Sequence, residues 1–106
     1  VKRYEVRGAQ LDPTIGSEMA KTRTVVIVSL DALNERLQRV TVCPLTARLH
    51  PGWRTRLGVR VGRREAEVAV DQIRTISKTR LGRKLGTLTA ADANALRRLI
   101  TEMYGE

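Results

Sequence analysis

Phenylalanine is absent from this 106-residue chain, and cysteine, histidine and tryptophan occur once each. A core without phenylalanine has to be built from valine, leucine, isoleucine and alanine. The single Cys43 closes no disulfide within the chain, which suits a reducing, cytoplasmic setting. One cysteine and one histidine are too few for a zinc site of the usual four-ligand kind. No glycine-rich loop ends in Lys-Ser or Lys-Thr, so a P-loop is unsupported. A Ser-His-Asp triad would have to use His50, a loop residue beside Pro51 and Gly52. No apolar run approaches the ~20 residues that span a bilayer, and the first residues lack the apolar stretch of a signal peptide. Neither a membrane location nor a metal or organic cofactor is expected.

Cations are what the chain has in excess. Lysine and arginine number 20 against 11 acids, a net charge of +9. Such a charge favours polyanionic partners: nucleic acid, acidic proteins or anionic lipid. Hydrophobic residues make up 42% of the chain, enough for a core. A chain of this length folds as one domain, residues 1–106, and buries roughly 65% of its unfolded surface.

Short apolar runs divide the sequence. Tyr4–Leu11 reads as a first strand ended by Asp12-Pro13. Val25–Ser29 is nearly continuous and β-branched, as in a strand covered on both faces. Leu30–Leu37 suits a short helix, and Arg39–Leu45 another strand, stopping at Pro44. Thr46–Gly62 reads as loop, with Leu57, Val59 and Val61 as a short hairpin arm. Glu65–Val70 alternates charged and apolar residues, as in a half-buried strand. Gln72–Ile76 is a further short strand, and Lys78–Lys84 a basic, glycine-interrupted connection. Thr89 is placed to cap a final helix with Asp92 in its first turn. Ala93, Leu96, Ile100 and Met103 then recur at helical spacing, with Leu99 widening the stripe. Many short strands before one terminal helix point to a small, strongly curved β-barrel.

The segment Asp12–Arg23 sets a turn, an acid and two cations directly before an apolar strand. Its Gly16-Ser17-Glu18 triplet, Arg23 and the following Val25–Ser29 resemble the signature segment of the MazF/PemK toxin family. Val42-Cys43-Pro44-Leu45-Thr46 and Asp71-Gln72-Ile73-Arg74-Thr75-Ile76 resemble two further family motifs in the expected order. Asn34 and the terminal helix also fit, so the resemblance covers nearly the whole chain. It implies a mainly β fold, an SH3-like barrel of the CcdB/PemK type, with a short helix after the second strand and a C-terminal amphipathic helix. It also implies a homodimeric endoribonuclease that cuts single-stranded RNA without metal, leaving a 2′,3′-cyclic phosphate and a 5′-hydroxyl. Its inhibitor would be a cognate acidic antitoxin.

In one branch of the family the residues matching Arg23 and Thr46 are the catalytic pair. A fixed guanidinium suits charge developing on phosphate oxygens, and Thr46 offers a short hydroxyl at a strand end. Glu18 is the nearest acid to orient Arg23 or accept the 2′-hydroxyl proton; the plainer alternative is an exposed pair with Lys21 or Arg23. Another branch uses a His-Arg-Asp set. Its histidine falls at Ser17 and its arginine at Ala69, so only Asp71 remains. The residue after the signature arginine is usually proline but here is Thr24, which frees the backbone at the strand entrance.

For RNA contact the candidates are Ser17, Lys21, Asp71 and Gln72, with Trp53, Arg54 and Arg56 of the loop after His50. An aromatic face among cations suits base stacking, worth ~1–3 kcal/mol per base; Trp53 folded over the barrel mouth is the competing reading. Lys78, Arg80, Arg83 and Lys84 read as a solvated turn or a phosphate track. Two other functions suit the same fold: a non-enzymatic poison of DNA gyrase and a catalytically silent RNA-binding barrel. Gyrase-poisoning relatives carry a tryptophan near the C-terminus, where this chain has Glu102-Met103-Tyr104-Gly105-Glu106.

Overall fold

A computed structural model describes residues 1–11 and 22–105. Strand β1 (Glu5–Gln10) pairs antiparallel with β2 (Thr22–Ile27), setting Val6 against Val26 and Ala9 against Arg23. Val25, Val26 and Ile27 are all fully buried, as a continuous β-branched run requires. A short helix, α1 (Asp31–Arg36), leads into β3 (Arg39–Thr46). Strands β4 (Arg56–Val61) and β5 (Arg64–Ala69) form a hairpin, and a 3-10 turn at Val70–Gln72 leads to β6 (Arg74–Ser77). Strand β7 (Leu81–Thr87) then returns to pair with β1, before helix α2 (Ala90–Tyr104).

The sheet runs β4-β5-β3-β2-β1-β7, with β6 also paired to β3. It curls into a half-barrel whose β4 and β7 edges come near one another without pairing: a Cβ at Gly86 of β7 would stand 3.2 Å from Val61 Cγ1 of β4. Helix α2 packs on β4. Its cap is formed by the Asp92 N–H donating to Thr89 Oγ1 at 3.1 Å, while Asp92 itself accepts from the Arg60 N–H. At the other end Tyr104 Oη donates to the Val70 carbonyl.

Each face of β2 has its own core. Val26 and Val28 pack with Cys43, Val59, Val68, Val70, Ala93 and Leu96, and Leu99, Ile100 and Met103 join from α2. Val25 and Ile27 pack on the other side with Ala9, Leu11, Val40, Val42 and Ile76. The apolar stripe read from the helix sequence is therefore core.

Three expectations need correction. Strand β3 does not stop at Pro44 but continues to Thr46, because its last residues change partner: Val25 pairs with Pro44, whereas Leu45 and Thr46 pair with Val68 and Glu67 of β5. The Asp71-Gln72 segment is a turn, so the strand after it begins at Arg74 rather than Gln72. The basic stretch Lys78–Lys84 is no simple connection, since from Leu81 onward it is β7. Lys78 Nζ donates to the Asn34 carbonyl, Arg80 Nη1 to that of Gln10, and Lys84 pairs with the buried Glu5.

Candidate functional site

The functional geometry begins where β3 parts from β2. Among the described residues their ladder ends at Val25 and Pro44. Proline contributes no amide hydrogen there, and β3 turns toward β5. Two residues further out in the same register stand Arg23 and Thr46. Both line one cleft of about 470 Å³. Arg23 extends from a regular strand, paired with Ala9, and Thr24 after it is paired with Gly8. The missing proline has therefore not broken the ladder on the β1 side.

Cations dominate this cleft. Arg48, Arg56 and Arg74 line it with Arg23, together with His50, Gln72, Leu11 and Ala69. Thr46 is half-buried, and its Oγ1 accepts the Arg48 N–H at 3.1 Å, closing a tight turn after the strand. The next turn is fixed by Glu67. This buried carboxylate accepts the His50 N–H on both oxygens at 2.9 Å.

The loop after His50 forms a stack. The His50 and Trp53 rings lie 3.9 Å apart and nearly parallel, and the Arg56 guanidinium sits 5.0 Å from the Trp53 ring centroid. Arg56 Nε also pairs with Asp71 at 3.2 Å, leaving its side chain only 9% exposed. Trp53 remains half exposed, so it neither closes over the barrel nor stands free. Arg54 points elsewhere, to an exposed pair with Glu102 of α2 at 2.9 Å.

Of the residues singled out from the sequence, this cleft brings together Arg23, Thr46, Arg56 and Gln72, with Asp71 behind Arg56. Ser17, Glu18 and Lys21 lie outside the described residues. Sequence reasoning passed over Arg48, Arg74 and Glu67. Arg74 lay inside a recognised motif, whereas Glu67 had the alternation of an outward-facing strand residue and gave no signal. Cys43 lies behind the site but is no nucleophile: burial, then the negative charge of Asp71, pushes its thiol up to about 12. Among the described residues no group of three or more His, Cys, Asp or Glu is arranged to hold a metal ion. No described helix is long and apolar enough to cross a membrane.

Comparison with known proteins fits this arrangement. Residues 2–104 match the family described as PemK-like, MazF-like toxin of type II toxin-antitoxin system. Endoribonuclease MazF9 of Mycobacterium tuberculosis (strain ATCC 25618 / H37Rv) is 33% identical over 104 residues, covering 87% of this chain and 86% of that protein. The solved structure of Mycobacterium tuberculosis toxin MazF-mt6 is similar with a TM-score of 0.77 and 29% identity, over 95% of this chain and 96% of that one. The fold is also that of an endoribonuclease from Mycobacterial species solved in complex with its cognate antitoxin, with a TM-score of 0.83, 24% identity and coverage of 99% and 95%. The chain belongs to the PemK/MazF family of toxins of type II toxin–antitoxin systems.

Proposed function

We infer that this chain is a MazF-type endoribonuclease toxin, a single domain that cuts single-stranded RNA without metal and is neutralised by a cognate antitoxin. The observation that carries the reading is the shared cleft of Arg23 and Thr46, within a family whose curated relative is an endoribonuclease. The ribose 2′-hydroxyl loses its proton and attacks the adjacent phosphorus, and the 5′-oxygen of the next nucleotide leaves, taking up a proton from solvent. The products are a 2′,3′-cyclic phosphate and a 5′-hydroxyl. Negative charge builds on the non-bridging oxygens in the transition state. Arg23 stabilises it with paired hydrogen bonds from a group that stays protonated.

Thr46 orients the phosphate through its hydroxyl. Glu18 takes the 2′-hydroxyl proton or holds Arg23. Arg48, Arg56 and Arg74 draw the polyanionic strand into the cleft, with Gln72 and the half-exposed Trp53 offering base contacts. Ser17, Lys21 and Asp71 complete the proposed RNA-facing set, with Asp71 acting through Arg56; Arg54, turned to Glu102, stands outside it. An acidic antitoxin segment would compete for the same cations, as the +9 charge favours. The working form is a cytoplasmic homodimer.

The test is incubation of the pure protein with single-stranded RNA in EDTA. Wild type should yield 2′,3′-cyclic phosphate ends, and Arg23→Ala should lose ~10²–10³ in rate. An RNA left intact by wild type, or cut equally by Arg23→Ala, refutes the assignment.

A further inference from the structure

A second cleft, of about 460 Å³, lies across a single ridge from the one that holds Arg23. Leu45, Thr46 and Ala47 line both. The sheet geometry explains the shared wall. Neighbouring residues of a strand face opposite sides, and where β2 and β3 separate, Arg23 falls to the first cleft and Thr24 to the second. The two clefts thus open on opposite faces of β2 and meet at Thr46.

We propose that the second cleft receives the nucleobase of a nucleotide adjoining the scissile phosphate, with the RNA strand crossing the Leu45–Ala47 ridge. This rests on the endoribonuclease reading above. The chemistry of the walls differs from that of the first cleft. Leu45, Val61, Ala66 and Leu85 present apolar surface over the buried Val6, and Leu85 is 45% exposed although it belongs to a strand. Arg64 and Arg83 also line it, and neither has an ion-pair partner among the described residues. Glu65 on the same wall is engaged by Arg60 at 3.0 Å.

A volume in the range of small-ligand pockets, apolar walls and unpaired arginines suit a flat ring flanked by phosphates. Continuity with the cationic cleft favours the substrate strand itself over an apolar side chain from a protein partner. Sequence preference is then read partly on the far side of Thr46.

Cleavage of a random-sequence RNA pool, with the cut positions read by sequencing, tests the assignment. Leu85→Trp fills the cleft from an exposed position, and Arg83→Ala removes one cation. Leu85→Trp should lower the preference for one base beside the cut by ~10-fold, the scale set by small changes in an apolar pocket. KM should rise while kcat stays within about threefold. Arg83→Ala should weaken RNA binding at low salt and make its salt dependence shallower by about one phosphate contact. Thermal melts confirm folding; should Leu85→Trp not fold, Leu85→Ala and Arg83→Ala carry the test.

Unchanged base preference and KM in both variants overturn the proposal while leaving the endoribonuclease reading intact. Altered subunit assembly or lost antitoxin binding at unchanged base preference also overturns it, assigning the cleft to a protein partner. No cleavage by wild type removes the underlying reading and this one with it.

Discussion

Glu67 holds the His50 backbone N–H on both carboxylate oxygens, each at 2.9 Å, from directly across the β3–β5 ladder from Thr46. The carboxylate is buried and has no ion-pair partner among the described residues. Hydrogen bonds to charged groups contribute ~1.5–3 kcal/mol. Glu67→Ala should therefore lower stability by about 2 kcal/mol in urea unfolding and slow RNA cleavage by releasing the loop that carries Arg48 and His50. Glu67→Gln keeps an acceptor oxygen and should retain most of both. Equal losses in the two variants would mean that the charge matters, not the acceptor.

Thr46 combines two tasks in one hydroxyl. Its Oγ1 accepts from the Arg48 N–H, and the residue faces both clefts. Thr46→Val keeps the shape and removes the hydroxyl; Thr46→Ser keeps the hydroxyl and loses a methyl. Valine should reduce single-turnover cleavage by on the order of 10²-fold and cost ~1 kcal/mol in stability. Serine should stay within a few-fold of wild type. A valine variant as fast as wild type would leave Thr46 a turn residue only.

What the sequence made legible follows from how locally each feature is determined. The strand expected at Val25–Ser29 is present but shifted to Thr22–Ile27, since β1 pairs it from Thr22 onward. That β-branched run and the Thr89-capped α2 both carry their own periodicity and signals. Strand β7 does not. Gly82, Arg83, Lys84 and Gly86 have weak β preference, and the strand exists because β1 offers it an edge. The extension of β3 past Pro44 is likewise tertiary, supplied by β5 on its other side. Arg23 and Thr46 were legible through motif resemblance. Their convergence depends on a ladder register that no local pattern encodes.

Asn34 anchors the entry to β3. Its amide nitrogen donates to the Ser29 carbonyl at 2.9 Å, and its Oδ1 accepts from Ser29 Oγ at 2.5 Å. Ser29 Oγ in turn accepts from the Thr41 N–H at 3.1 Å. The side chain is buried, so Asn34→Ala removes both of its bonds to the half-buried Ser29 and leaves a void in their place. A loss of about 2–3 kcal/mol in denaturant midpoint analysis is expected. Ser29→Ala should cost less than this, and the double variant less than the sum of the two.

Cys43 gives the stability a definable alkaline limit. Burial, and then the charge of Asp71, holds its thiol near 12 in the folded chain, whereas an unfolded cysteine titrates near ~8.5. Below the unfolded value both states keep the proton and the stability is full. As pH rises above it, the unfolded chain releases a proton that the native state retains, so stability falls by up to ~1.4 kcal/mol per pH unit until the folded pKa is reached. Between pH 9 and 10.5 the stability of Cys43→Ala should decline less steeply than that of wild type, because only wild type carries the buried thiol that the unfolded chain ionises. Native protein at pH 8 should also react with a thiol reagent only as fast as it opens. Identical alkaline slopes in wild type and Cys43→Ala would mean that Cys43 ionises as freely in the fold as outside it.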